Sequence, residues 1–124
     1  MSHTEPALTL QQPWASAIFR AGKDVENRTW PTRYRGLLVI HAGKTWDARA
    51  ADVLLLADLL GSMGPHTHYP RGLLGTVRLV DVTRDQHSAW AAPGLWHWVL
   101  ADPRPFPEPI PCRGRMGLFP VAIP

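Results

Sequence analysis

Five prolines occupy alternate positions from Pro103 to Pro111. Proline fixes its own backbone angle and has no N–H to donate to a sheet ladder. The stretch Asp102 to Pro111 is therefore predicted to be extended and irregular, and no helix can cross it. The apolar pattern elsewhere is mostly that of strands. Short strands are expected at residues 7–10 and 25–29. A buried strand is expected at 36–42, where Gly-Leu-Leu-Val-Ile-His-Ala is nearly continuous in apolar character. Further strands are expected at 73–82, at 95–101 and at 116–123, with Pro120 marking an edge or bulge in the last. Two segments read as helices. Pro13 suits a first turn, Trp14, Ala17, Ile18 and Ala21 recur at helical spacing, and Gly22 is a stop signal. In residues 46–60, Ala50, Val53, Leu54 and Ala57 form a core face, with Thr45 as cap and Gly61 as stop. Residues 61–70 are rich in Gly, Pro, His and Ser and read as a loop. Strands outnumber helices without repeated βαβ units. The expected class is α+β, mainly β: a small mixed sheet or partly open barrel flanked by two helices.

The 124 residues are enough for one domain, spanning 1–124, and too few for two cores. With 45% hydrophobic and 19% charged residues, wholesale disorder is excluded. The longest apolar run, Val53 to Leu60, is interrupted by Asp58, so no membrane span is expected. The first residues lack a basic region followed by an apolar stretch, so no secretory signal is expected. The single cysteine, Cys112, excludes a disulfide framework and a cysteine zinc cluster. A small, soluble, cytoplasmic protein is expected, with no cofactor. His66 and His68 lack a third ligand, so no metal is expected either. Cys112 lies beside Arg113 and Arg115, which favour a thiolate, but no base is assigned to it. His41, between Ile40 and Ala42, reads as a hydrogen-bonded wall residue.

Charge points to the partner. Eleven of the thirteen basic residues are arginine, which forks onto phosphate and stacks on bases. Residues 20–44 hold six basic and two acidic side chains, whereas residues 45–70 hold three aspartates against Arg49. The charge is segregated along the chain. Gly43-Lys44-Thr45 imitates a phosphate-binding loop, but the required earlier glycine is replaced by Leu38. Trp30 and Trp46 flank the basic segment at element ends, where indoles can stack on exposed bases. The densest polar cluster is Gly22-Lys23-Asp24-Val25-Glu26-Asn27-Arg28. On a strand, Glu26 and Arg28 share one face, and Lys23 reaches them from the preceding turn. Such a cluster is either an ion-pair pin for the first helix or a polar pocket for a phosphate or base edge.

Several stretches resemble the ASCH domain family. They are Gln12-Pro13-Trp14-Ala15, the signature Gly22-Lys23-x-x-Glu26-x-Arg28, Trp30-Pro31-Thr32-Arg33-Tyr34-Arg35-Gly36 and Ile40-His41-Ala42. The likeness continues through Gly75-Thr76-Val77 and Trp96-His97-Trp98-Val99-Leu100-x-Asp102-Pro103. It implies a PUA-like fold, a small mixed β-barrel with two flanking helices, and kinship to RNA-binding modules. The motif would line a cleft beside the first helix. Some members cleave single-stranded RNA, and others deacetylate N4-acetylcytidine with a Lys and a Thr nucleophile. Here Glu26 stands where that Thr is expected, with Thr29 close by.

The leading expectation is binding of single-stranded RNA, or of an unstacked or modified nucleotide. Lys23, Arg28, Arg33, Arg35 and Lys44 would meet phosphate or a base edge. Glu26 would accept from an exocyclic amine, and Trp30, Tyr34 or Trp46 would stack a base. The alternative is a metal-independent hydrolase of RNA or of a modified nucleoside, with Lys23 stabilising negative charge and Glu26 activating water. A third reading presents Pro103 to Pro111 as an extended protein ligand.

Overall fold

A computed structural model describes residues 2–124. Among these the strands are β1 (His3–Gln12), β2 (Val25–Arg28), β3 (Gly36–Trp46), β4 (Gly72–Thr83), β5 (Trp96–Ile110) and β6 (Leu118–Ile123). The helices are α1 (Trp14–Arg20) and α2 (Ala57–Met63). The strands form one mixed sheet in the order β2-β5-β4-β3-β1-β6. Only β1 and β3 run parallel; the other neighbours are antiparallel. The parallel pair is connected through α1 and β2, because a hairpin cannot join parallel strands.

The two sides of the strands bury different clusters, as the period of two requires. Leu8, Leu10, Leu38, Ile40, Val77, Leu79 and Trp98 pack with Ala15 and Ile18 of α1. Ala7, Val39, Leu73, Phe119, Val121 and Ile123 form the second cluster. Each large aliphatic side chain so buried contributes about 1.5–3 kcal/mol. A third cluster joins α1 to the helical segment: Ala17, Ala50, Leu56, Leu59 and Tyr69.

Three expectations change. The sheet is open among the described residues, since β2 and β6 end the order without pairing to each other. Pro120 lies opposite Pro6 in the β1–β6 register. Two prolines can face each other only where neither must donate across the ladder, so the missing Pro120 donor lies on the outer edge of β6. That edge is the one a closing strand would need. The expected second helix is broken. β3 carries Thr45 and Trp46, Asp47 caps a short 3-10 turn at 48–52, and extended Val53 separates it from a further turn and α2. Gly61 lies inside α2, and Gly64, at φ +75°, ends it.

The proline stretch is extended, but it belongs to β5. Arg104 pairs with Thr76, Pro105 with Gly75, and Ile110 with Leu73. Successive residues of a strand send their N–H groups to opposite edges. Where the strand is regular, prolines at every second position therefore leave their missing donors on one edge. From Pro105 to Ile110 five residues of β5 stand against two of β4, which takes the intervening prolines out of the ladder. β2 pairs only with the first part of β5, residues 96–99, so that edge beside the prolines has no partner strand to serve. The register still slips between Leu73 and Gly75, so part of the expected irregularity is present.

Candidate functional site

Gly22, at φ +69°, turns the chain out of α1 and into β2. The turn directs Lys23 inward, where the residue is only 4% exposed. Burying an ammonium is costly unless it is paired and hydrogen-bonded. Here Nζ donates to the Val25 carbonyl at 2.7 Å and to Glu26 Oε1 at 2.6 Å. Glu26 is itself 8% exposed. Its second oxygen accepts from Arg28 Nη1 at 3.3 Å, and the same nitrogen reaches the Thr9 carbonyl at 3.4 Å. The three side chains thus form a row of cation, anion and cation, as their shared strand face requires.

Indoles flank this row. Lys23 Nζ lies 5.8 Å from the Trp14 ring centre, and the Arg28 guanidinium lies 5.6 Å from that of Trp30. Trp30 stands edge-on to Trp98, whose Nε1–H donates to the Trp30 carbonyl at 3.1 Å. Trp14 is held by donating to Asp47 Oδ2 at 2.9 Å. Asp47 also accepts from the Arg49 side chain and backbone. The Arg49 hydrogen bond holds the Asp47 carboxyl below its usual 3.8; burial opposes this and the Trp14 indole adds to it.

The remaining expected residues are divided between the two ends of β3. Tyr34, Arg33 and Arg35 precede its first residue. The Tyr34 hydroxyl donates to the Leu37 carbonyl, and its ring packs against the first cluster. Burial raises the Tyr34 phenol above its usual 10.0; Glu5 adds to the rise and Arg78 opposes it. Arg35 bonds the Thr32 and Tyr34 carbonyls and lies 3.7 Å from Asp81. Arg33 is exposed. Lys44 and Trp46 lie near the other end of β3, with Lys44 exposed. Trp46 packs edge-on to Tyr69 and tilted to His66. At about 3.3 Å per residue, Arg35 and Lys44 are separated by up to roughly 30 Å of strand. Lys23, Glu26 and Arg28 come together with Trp30; Arg33, Tyr34 and Arg35 do not join Lys44 and Trp46 in one cluster.

Sequence reasoning passed over the residues that hold the row in place. The Asn27 side chain donates to the Trp90 carbonyl and accepts from Ala92 N–H, both at 2.9 Å. His97 Nδ1 accepts from Gln86 N–H, so its Nε2–H donates to the Ala92 carbonyl. Loop 84–94 is therefore pinned to β2 and β5, and Trp90 is directed toward the third cluster. Asn27 sits between Glu26 and Arg28, and that alternation on a short strand was the available signal. Thr9 and Asp47 carried no comparable signal, because only the tertiary fold brings them to Arg28 and Trp14. Thr29 is exposed just beyond β2.

A cavity of about 130 Å³ reaches Lys23 from the side of Ile18, Val77 and Leu100, but Glu26 and Arg28 do not line it. Among the described residues, no group of three or more His, Cys, Asp or Glu could hold a metal ion. None of the described helices is long and apolar enough to cross a membrane. No curated protein matches the chain. A family model described as the ASCH domain matches residues 8–109, which include the whole Lys23–Glu26–Arg28 row. The chain belongs to the ASCH domain family.

Proposed function

We propose that this ASCH domain binds single-stranded RNA, or an unstacked or modified nucleotide, at the row formed by Lys23, Glu26 and Arg28. The observation that carries this reading is a buried carboxylate held between two cations and flanked by indoles. Lys23 and Glu26 are fixed at 2.6 Å, whereas both contacts of Arg28 are long and its side chain is 23% exposed. Arg28 is the group free to turn toward a phosphate. Glu26 offers its remaining lone pairs to an exocyclic amine, and Trp30 offers an aromatic edge or face to an unpaired base. A compact cluster of this kind suits one splayed nucleotide better than a duplex. The ASCH family membership is consistent with a nucleic-acid role.

The hydrolase reading receives less support. Both oxygens of Glu26 already accept from cations, Lys23 and Arg28, so the carboxylate is engaged in holding those two side chains. Thr29 shares no hydrogen bond with Lys23 among the described residues. The test is a gel assay with end-labelled single-stranded RNA, chelator and low salt, comparing the protein with Lys23→Ala and Arg28→Gln. A band shift weakened by both substitutions is expected, with RNA length unchanged. Shortened RNA that depends on Lys23 would replace the binding reading with the hydrolase. Absence of any shift would direct attention to modified free nucleosides.

A further inference from the structure

The segment between β5 and β6, residues 111–117, lies beyond the family-matched region, yet it is tied to the same part of the sheet. Cys112 and Gly114 turn inward, while Arg113 and Arg115 turn outward. Two contacts set this alternation. His41 is 3% exposed, and its Nε2 lies 2.7 Å from the Cys112 carbonyl. A carbonyl can only accept, so Nε2 carries the proton. In the neutral ring, Nδ1 then accepts from the Thr9 hydroxyl at 3.0 Å. Gly114 packs directly over this pair. A β-carbon there would fall 2.8 Å from both His41 Cε1 and Thr9 Oγ1, closer than packed atoms tolerate. The loop is therefore seated on Thr9 and His41, and only glycine allows that approach.

Thr9 is also the residue whose carbonyl receives Arg28. The loop and the Arg28 end of the row meet on one residue of β1. Among the described residues no carboxylate pairs with Arg113 or Arg115, and Met116 is 97% exposed. Two unpaired guanidiniums on a loop that is seated on the same residue as Arg28 offer cationic groups suited to a phosphodiester strand.

We propose that Arg113 and Arg115 bind consecutive phosphates of the RNA strand leaving the Lys23–Glu26–Arg28 row, with Thr9, His41 and Gly114 setting the loop in position. This rests on the reading of that row as an RNA site. The partner is single-stranded RNA; loss of two phosphate contacts is read out by salt. For a single strand, each contact contributes about 0.7 to the slope of log affinity against log salt.

The experiment measures binding of an end-labelled single-stranded RNA oligonucleotide across a salt series. It uses the full chain, the double variant Arg113→Gln/Arg115→Gln, and Gly114→Val, with thermal melts beside each. The double variant removes two exposed, unpaired side chains, so its melting temperature is expected to be unchanged. Its affinity is expected to fall about tenfold or more at low salt, with the slope shallower by about 1.4. Gly114→Val keeps both arginines but lifts the loop, and is expected to weaken binding in the same direction. If the unmodified chain binds RNA and the double variant binds with equal affinity and slope, the loop proposal falls and the row reading stands. If the unmodified chain binds no RNA, the loop proposal falls together with the reading of the row as an RNA site.

Discussion

Glu26 shows how much one buried carboxylate holds in place. It neutralises Lys23, receives Arg28, and so links the turn after α1 to β2 and β1. Removing one partner of a buried pair leaves the other charge without compensation, at a cost of about 3–5 kcal/mol. Glu26→Ala is therefore expected to lower the unfolding free energy by about that amount in a denaturant titration. Glu26→Gln keeps an acceptor near Lys23 and should cost less. Asp47 adds an acid-sensitive contact. Its carboxyl titrates below the usual value because Arg49 and Trp14 favour the charged form. The stability it contributes is present above about pH 4 and is lost as pH falls through its lowered folded value. Trp14 fluorescence should change in that acid range, and Asp47→Asn should remove this part of the pH dependence. Neither Asp47 nor Asn27 could be assigned a role from spacing, because their partners are distant in sequence: Trp14 for the first, Trp90 and Ala92 for the second.

At the scale of elements, the proline strand is the sharpest case. Pro103 to Pro109 can lie in β5 because they recur at every second position and fall where the register with β4 slips, so few ladder donors are required of them. A proline of the opposite parity would remove a donor that faces β4. Arg104→Pro, opposite Thr76, is expected to cost about 1–3 kcal/mol through the lost ladder bond, measured by the shift of the unfolding midpoint. Pro107→Ala restores an N–H on the unpartnered edge and should cost no more than about 1 kcal/mol, through the entropy of the unfolded chain. The helical segment teaches the reverse lesson. The expected core face of Ala50, Val53, Leu54 and Ala57 holds only in part. Ala50 is buried and Val53 packs against the same cluster, but Leu54 is 87% exposed and Ala57 is exposed. Leu56 and Leu59 are buried in their place, because the break at Val53 turns the segment. The pattern did not reveal that β3 would extend through Trp46 or that Val53 would be extended. Pairing of Trp46 with Gln12 takes the start of the expected helix into the sheet. Tertiary pairing overrides local periodicity at such boundaries.

At the scale of the whole molecule, the two tyrosines report on integrity at high pH. Burial is the largest cause of the raised value in both Tyr34 and Tyr69; Arg20 opposes the rise at Tyr69. A raised folded value means stability is fully present below pH 10 and lost as pH rises through the folded values. Phenolate absorbance should therefore lag behind that of free tyrosine and emerge together with unfolding. Tyr34→Phe should reduce that alkaline sensitivity. At neutral pH the molecular prediction concerns charge: RNA affinity should fall linearly in log–log form as salt increases. A flat dependence would contradict phosphate contact.

From the sequence alone came the strand-rich class, the buried run of β3, the strand β4, α1 with its glycine stop, the edge character of Pro120, the ASCH resemblance and the Lys23–Glu26–Arg28 row. These are local properties: alternation, proline chemistry, and three polar side chains within six residues. Tertiary structure alone decided that the sheet stays open, that β5 absorbs the prolines, and that Arg33–Arg35 and Lys44–Trp46 lie at opposite ends of β3. It also brought the Cys112–Gly117 loop onto Thr9 and His41. The physical reason is register. A strand's own residues determine which faces are apolar, but the partner strand and the slip between them determine what each residue meets.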